Sequence, residues 1–169
     1  MPLESVIIFT DGSSRGNPGP GGFGAIIVAD GNVTELGGRE EETTNNRMEL
    51  RAAIEALLRT KGERRKILLY CDSTYVVSGI TKWVHGWQKR GWKTADKRPV
   101  LNRDLWEELL QATHGRDIEW RQVGGHMGVA GNERSDEIAT AYADNEALVL
   151  YSGLLTNYGI RNILNVRGR

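Results

Sequence analysis

The chain has 169 residues, 39% of them hydrophobic and 26% charged, and its 22 basic residues are matched by 22 acidic ones. That length and balance fit one globular domain with a sizeable core, and the absence of net charge excludes a globally basic nucleic-acid binder, so any such surface has to be local. A single cysteine, Cys71, excludes an internal disulfide framework; no apolar stretch approaches the ~18 residues of a membrane span, and the N-terminus lacks a secretion signal, so the cytoplasm is the expected compartment.

Val6-Ile7-Ile8-Phe9-Thr10-Asp11 reads as a strand whose apolar run ends in a carboxylate before turn residues, so Asp11 is expected at a sheet edge. Residues 12–22, rich in Gly and carrying Pro18 and Pro20, predict a hairpin loop. Residues 23–29 and 33–39 read as two more strands joined by Asp30-Gly31-Asn32, a strong hairpin signal, which makes three consecutive antiparallel strands.

Thr44-Asn45-Asn46-Arg47-Met48-Glu49 then leads into Leu50, Ala53, Ile54, Leu57 and Leu58 at helical spacing, with Gly62 as a stop. Glu49 lies three residues after Asn46, as in a capping arrangement, and it also lies among Ala52, Ala53 and Ala56, where little bulk keeps a helix off a sheet; both roles stay open. Residues 67–71 are wholly apolar, as in a strand buried on both faces, and Asp72-Ser73 precedes a second helical pattern through Tyr75, Val76, Val77 and Ile80. Strand, helix, strand order predicts a parallel pair through a right-handed crossover, which would set Asp72 beside Asp11 at the carboxyl ends of neighbouring strands. Alone, Asp72 is an ordinary helix N-cap.

Residues 82–98 differ in composition from their surroundings: six Lys or Arg against one Asp, a local charge of +5, interleaved with Trp83, Trp87 and Trp92. Trp83 and Trp87 could pack a short helix on the core as an i, i+4 pair. The combination also suits a surface that tracks a nucleic-acid strand, with cations on phosphates and rings under sugars and bases. Residues 102–114 predict a helix capped by Asn102, residues 118–123 a strand, and residues 124–128 a glycine-rich loop holding His126. A final helix is expected to include Asn132 and Asp136 and to run to about Asn145; residues 146–169 show no clear pattern.

Each acid has a bland explanation by itself. Together, the topology draws Asp11, Glu49, Asp72 and Asp136 toward one sheet edge, where four carboxylates stay charged only beside cations. A pair of Mg²⁺ ions there could clamp both the attacking and the leaving oxygen of a phosphodiester.

Through TDGSSRGNPGPGGFGA (10–25), TTNNRMEL (43–50), YCDS (70–73), WVHGWQKRGWKTADKRPVLNRDLW (83–106) and GHMGVAGNERSDEIA (125–139), the chain resembles the type 1 ribonuclease H family, the bacterial ribonuclease HI kind. The resemblance covers about residues 3–145. It implies an α/β fold of the ribonuclease H type: a five-stranded mixed sheet, order 3-2-1-4-5, flanked by helices, forming one catalytic domain over residues 1–145 with a tail at 146–169. It implies a monomeric endonuclease, not membrane-bound, that cuts the RNA strand of RNA–DNA hybrids with two Mg²⁺ ions, Mn²⁺ being able to substitute, and leaves 3′-hydroxyl and 5′-phosphate ends. Asp11, Glu49, Asp72 and Asp136 match the family's metal ligands, with Asp11 bridging both ions, and His126 matches a mobile loop histidine that assists proton movement or product release. Asn17, Asn45 and Asn46 resemble minor-groove contacts and Thr44 part of a pocket for a DNA-strand phosphate. Trp83, Trp87, Lys89, Arg90, Trp92 and Lys93 belong to the family's basic protrusion, which holds the DNA strand.

Three positions depart from that pattern. Glu42 stands where an arginine is common beside the phosphate pocket, Thr74 where a longer polar side chain such as Gln contacts the minor groove, and Gly124 where a basic residue is frequent. Two other readings share parts of this evidence. Integrases, transposases and junction resolvases hold acidic clusters on a similar sheet but act on DNA; the NNRMEL helix start and the Trp-rich basic segment argue against them. A hybrid-binding module without catalysis would not need four intact acids.

Overall fold

In the computed structural model, which describes residues 4–124 and 127–167, the first half of the chain forms β1 (Val6–Ser14), β2 (Gly19–Ala29), β3 (Asn32–Thr43), α1 (Asn45–Arg59) and β4 (Ile67–Cys71). A helical stretch follows as α2 (Thr74–Ser78), a π-helical turn (Gly79–Trp83) and α3 (Val84–Lys89). The remainder is α4 (Arg103–Thr113), β5 (Ile118–Gln122), α5 (Ala130–Ala143), a short β6 (Ser152–Leu154) and a 3-10 turn (Leu155–Asn157). No helix among the described residues is long and apolar enough to cross a membrane.

The strands form one mixed sheet in the order β5-β4-β1-β2-β3-β6. β1 pairs antiparallel with β2 and parallel with β4, the arrangement the strand–helix–strand order predicts. The β2–β3 connection is a two-residue turn in which Asp30 (φ 55°) and Gly31 (φ 71°) are both left-handed, the geometry whose twist matches that of the flanking strands. The long apolar strands alternate between two cores. Val6, Ile8, Ala25 and Ile27 face Leu50, Ile54 and Leu57 of α1 together with Leu105, Trp106 and Leu109 of α4. Phe9, Ile26 and Val28 face Ile138 of α5. Each large apolar side chain taken fully out of water in this way contributes about 1.5–3 kcal/mol.

Several sequence expectations are corrected. The sheet has six strands rather than five, because the sixth comes from the tail: β6 pairs antiparallel with the start of β3 (Asn32↔Leu154 to Thr34↔Ser152). Residues 12–22 are mostly strand, since ladder pairing extends β1 to Ser14 and begins β2 at Gly19, leaving only a short turn. Asn102 stands at the N-cap of α4, its backbone carbonyl accepting from the Trp106 N–H (3.0 Å), but it is left-handed (φ 62°) and its side chain makes no capping bond; the side-chain amide instead donates to the Tyr75 hydroxyl (3.0 Å) and Oδ1 accepts from Arg47 (3.3 Å).

The tail is fastened by a buried carboxylate. Glu35 of β3 has a side chain with 0% exposure and accepts from Arg134 of α5 (2.7 and 2.9 Å), the Tyr158 hydroxyl (2.5 Å) and the Tyr151 backbone N–H (2.9 Å). Burial would raise its pKa, but these donors overcome it and hold the carboxyl below its usual range. Alternating strand pattern alone could not reveal this, because an acid at an inward position reads as an interruption of the strand. Tyr158→Phe is expected to destabilise the protein by about 1.5–3 kcal/mol, the worth of a hydrogen bond to a charged group, seen as a lowered urea midpoint at unchanged m-value. An unchanged midpoint would show that the tail contributes little.

Candidate active site

The acid cluster is assembled by three separate pieces of local chemistry. β1 and β4 stay paired only as far as Phe9↔Tyr70. Two residues past that pair lie Asp11, still in β1, and Asp72, just after the end of β4, so the parallel register sets them side by side where the strands begin to part. Asp72 is not used as a helix cap, since Ser73 takes that role by accepting from the Val76 N–H (3.1 Å). Glu49 is likewise released from capping: the N-cap of α1 is Thr44, whose hydroxyl accepts from the Arg47 N–H (3.2 Å). The open alternative for Glu49 thus resolves toward the sheet, where it is buried with Met48 and Leu50.

Glycine makes that approach possible. A Cβ on Gly12 would lie 2.3 Å from the Glu49 backbone nitrogen, so only Gly lets α1 settle directly on β1 and bring its carboxylate down to Asp11. Gly24 does the same for α5: a Cβ there would stand 2.4 Å from the Ser135 carbonyl oxygen, one residue from Asp136.

The result is that oxygens of Asp11, Glu49 and Asp72 all lie within 4.8 Å of one another. Asp11 and Glu49 are buried, 4% and 5% exposed. One oxygen of Asp11 accepts from the Gly12 N–H (2.8 Å), and Oε2 of Glu49 is buried with no hydrogen-bond partner among the described residues. Asp136 does not join this close triad. It stands exposed on α5 at the rim, near enough that its charge acts on Asp11. His126 lies outside the described residues.

Electrostatically the cluster is held against its own charge. Burial, then the negative charges of Asp72 and Asp136, push the Asp11 carboxyl up to about 7, although its bond to Glu49 works the other way; Glu49 is raised well above the usual range by burial and by Asp11. The pair therefore retains a proton near neutrality when no cation is bound. For stability, the folded state binds protons that the unfolded chain has already released between about pH 4 and 7, so stability without metal falls as pH rises through that window. Asp11→Asn removes the part of this cost that comes from the Asp11 charge, while the burial of Glu49 remains. In chelator the variant is expected to be about 2 kcal/mol more stable than the wild type at pH 7.5, with the gain shrinking toward pH 5. Urea unfolding at the two pH values checks it, and a variant less stable than wild type at pH 7.5 would contradict it.

The surroundings are polar and basic. Asn17, in the β1–β2 turn, accepts from the Asn45 N–H (3.1 Å), so the turn and the start of α1 are joined; Asn17, Asn45 and Asn46 are all exposed, and Thr44 is half-buried. Arg47 pairs bidentately with Asp104 (3.0 and 2.8 Å) and ties the first turn of α1 to α4. In the basic segment, Trp87 is a structural root, with ring centroids 5.4 Å from Trp106, 6.0 Å from Trp83 and 6.3 Å from Trp92. Trp83 is 40% exposed, and the Arg103 guanidinium lies over the half-buried Trp92 at 5.4 Å. Lys82, Lys89, Arg90, Lys93, Lys97 and Arg98 are all exposed, and none forms an ion pair with a described residue. Packing thus uses the rings partly as a foot for the segment and leaves its cations without an acidic partner among the described residues, Arg90 donating only to the Lys93 backbone carbonyl (3.1 Å).

One residue of this region escaped the sequence reading. Gln122, the last residue of β5 and register partner of Cys71, turns its amide to Thr74 (2.6 Å) beside Asp72. A polar side chain closing an otherwise alternating strand was the available signal.

A mixed sheet with a carboxylate cluster gathered at its edge from β1, α1 and β4 defines an α/β domain of the nuclease type. Comparison with known proteins gives the family. The RNase H family model matches residues 3–144. Ribonuclease H of Maricaulis maris (strain MCS10) is 55% identical over 137 residues, 81% of this chain and 92% of that protein. Ribonuclease H of Erythrobacter litoralis (strain HTCC2594) is 54% identical over 142 residues, 84% of this chain and 98% of that one. Among solved structures, LC9-RNase H1, a type 1 RNase H with the type 2 active-site motif, aligns with a TM-score of 0.78 at 34% identity, covering 100% of this chain and 87% of its own. LC11-RNase H1, in complex with an RNA/DNA hybrid, aligns with a TM-score of 0.64 at 27% identity, covering 83% and 98%. The chain belongs to the RNase H family and is a hydrolase of the ribonuclease H type.

Proposed function

We propose that this protein is an endonuclease that hydrolyses the RNA strand of RNA–DNA hybrids with two divalent ions and leaves 3′-hydroxyl and 5′-phosphate ends. The observation that carries the reading is the triad of Asp11, Glu49 and Asp72, three hard oxygen ligands from three elements within 4.8 Å. The residues fit divalent cations: the raised pKa values of Asp11 and Glu49 and the partnerless buried Oε2 of Glu49 mark a site that lacks positive charge. Asp11, Glu49, Asp72 and, from the rim, Asp136 would hold Mg²⁺, with Mn²⁺ able to substitute. When bound, the ions supply an activated water and offset the charge of the phosphodiester under attack.

The remaining residues bind and orient. The exposed Asn17, Asn45 and Asn46 form one polar ledge beside the acids and are suited to the minor groove of the hybrid, where ribose hydroxyls and base edges lie open. Thr44 is placed to contribute to a DNA-strand phosphate pocket. The unpaired cations Lys89, Arg90 and Lys93, with Trp83, Trp87 and Trp92, are assigned to the DNA strand. His126 is assigned to proton movement or product release, worth less than a metal ligand because general acid–base help amounts to ~10²–10⁴-fold. The crystal structure of a hybrid-bound relative, LC11-RNase H1, supports the substrate.

A labelled RNA–DNA hybrid and a DNA duplex of the same sequence, incubated with the protein and Mg²⁺, test the reading. Internal cuts confined to the RNA strand are expected. Cutting of the duplex alone would reverse the substrate assignment, and tight hybrid binding with no cutting would leave only a binding module.

A further inference from the structure

Gln122 occupies an unusual position for an exposed glutamine. It closes β5 next to β4, in register with Cys71, the residue before Asp72. Its Nε2 donates to Thr74 Oγ1 at 2.6 Å and reaches the Asp72 backbone carbonyl at 3.5 Å. A carbonyl oxygen can only accept, so the nitrogen is the amide atom facing the protein, and Oε1 is the atom left to face outward. Both Gln122 and Thr74 are exposed, and they flank the half-buried Asp72 on the side of the cluster toward β5. Fixing a rotamer-rich side chain in advance is costly at a plain surface and useful where a ligand must be met in one geometry.

We propose that Gln122 is a substrate-contacting residue in which Thr74 orients the amide and Oε1 accepts a hydrogen bond from a 2′-hydroxyl of the RNA strand; the proposal rests on the hybrid-cleaving reading above. The chemistry selects that group. The outward atom is an acceptor, the minor groove of a hybrid presents ribose hydroxyls as donors, and DNA has no such donor. Thr74 alone is too short to reach far from the start of α2, but as an anchor it converts a flexible glutamine into a directed one. The contact would therefore add RNA discrimination on the β5 side of the acids, without touching the reacting phosphate.

The experiment measures KM and kcat for wild type, Gln122→Ala and Thr74→Val on a hybrid and on a series of hybrids each lacking one 2′-hydroxyl. Gln122→Ala is expected to raise KM about 3- to 10-fold, the worth of one neutral hydrogen bond, with kcat within twofold. Thr74→Val, which keeps the shape and removes the anchor, is expected to raise KM less. At one ribose position the wild type should lose affinity on removal of the hydroxyl while Gln122→Ala does not. An unchanged KM in both variants, a KM rise that is the same multiple for every member of the series, or a loss confined to kcat would each overturn the proposal. Wild type that cuts no hybrid at all would overturn the parent reading and this inference with it, whereas normal wild-type cleavage with an unaffected Gln122→Ala removes only the latter.

Discussion

Asp11→Asn is expected to lower hybrid cleavage by at least ~10³-fold while changing hybrid affinity by no more than about threefold. The magnitude follows from removing a ligand that would touch both ions: metal stabilisation of a transferring phosphoryl group is worth several kcal/mol, and each ~1.4 kcal/mol is a factor of ten in rate. The asymmetry between rate and affinity follows from the geometry. Asp11 is 4% exposed at the bottom of the cluster, whereas the residues assigned to the hybrid, Asn17, Asn45, Asn46 and the basic segment, lie on the surface around it. The substitution is isosteric, and Oδ1 can still accept from Gly12. Because the same change relieves buried negative charge, the variant is expected to be inactive and more stable at once, which separates a lost function from a lost fold. Cleavage rates and anisotropy binding, measured on one preparation, check both halves; a variant cutting at near wild-type rate would contradict the ligand role.

Replacing Lys89, Arg90 and Lys93 together by Gln is expected to weaken hybrid binding about 10- to 100-fold at moderate salt and to reduce the slope of log K against log salt by about 2–3, since each phosphate contact contributes roughly 0.9. These cations are exposed and carry no ion pair with a described residue, and the one internal bond lost, from Arg90 Nε to the exposed Lys93 carbonyl (3.1 Å), leaves an acceptor that water can satisfy, so the fold should change little. Cleavage at saturating hybrid should change little, because nothing in the segment belongs to the acid cluster. The aromatic half of the segment behaves differently. Trp87 is wedged against Trp106, which is itself fully buried, so Trp87→Ala should cost stability as well as binding, whereas the more exposed Trp83, which meets only the rings of Trp87 and Tyr75 among the aromatic contacts, should cost less stability. Affinity titrated at several salt concentrations decides the charge claim: a triple variant with the wild-type slope would mean that the DNA strand runs elsewhere.

Much of this organisation is legible in the residues. The apolar runs at 6–9 and 67–71, the Asp30-Gly31 turn and the periodicity of α1 fix the β1–β4 parallel pair and hence the neighbourhood of Asp11 and Asp72. What resists reading is whatever depends on distance rather than pattern. Whether Glu49 caps its helix or meets the sheet is settled by the missing side chain of Gly12, thirty-seven positions away, and by Thr44 taking the cap instead. Asn102 looks like a side-chain cap in sequence and holds the N-cap place through its backbone carbonyl alone, because Tyr75 and Arg47 claim its side chain. The sixth strand is hidden because its three residues, Ser152, Gly153 and Leu154, carry no alternation of their own and are held by partners on β3 and by the Glu35 network. Gln122 escapes notice for a similar reason, since its significance lies in Thr74, forty-eight residues earlier.

The most direct test of the central claim is anomalous diffraction from crystals of the wild-type chain grown with a cleavage-resistant hybrid and Mn²⁺. Two anomalous peaks are expected, both within coordinating distance of Asp11, with Glu49, Asp72 and Asp136 completing the protein ligands and the RNA backbone between them. Peaks that leave Asp11 and Glu49 uncoordinated, or a hybrid seated away from the edge where β1 and β4 part, would contradict the account.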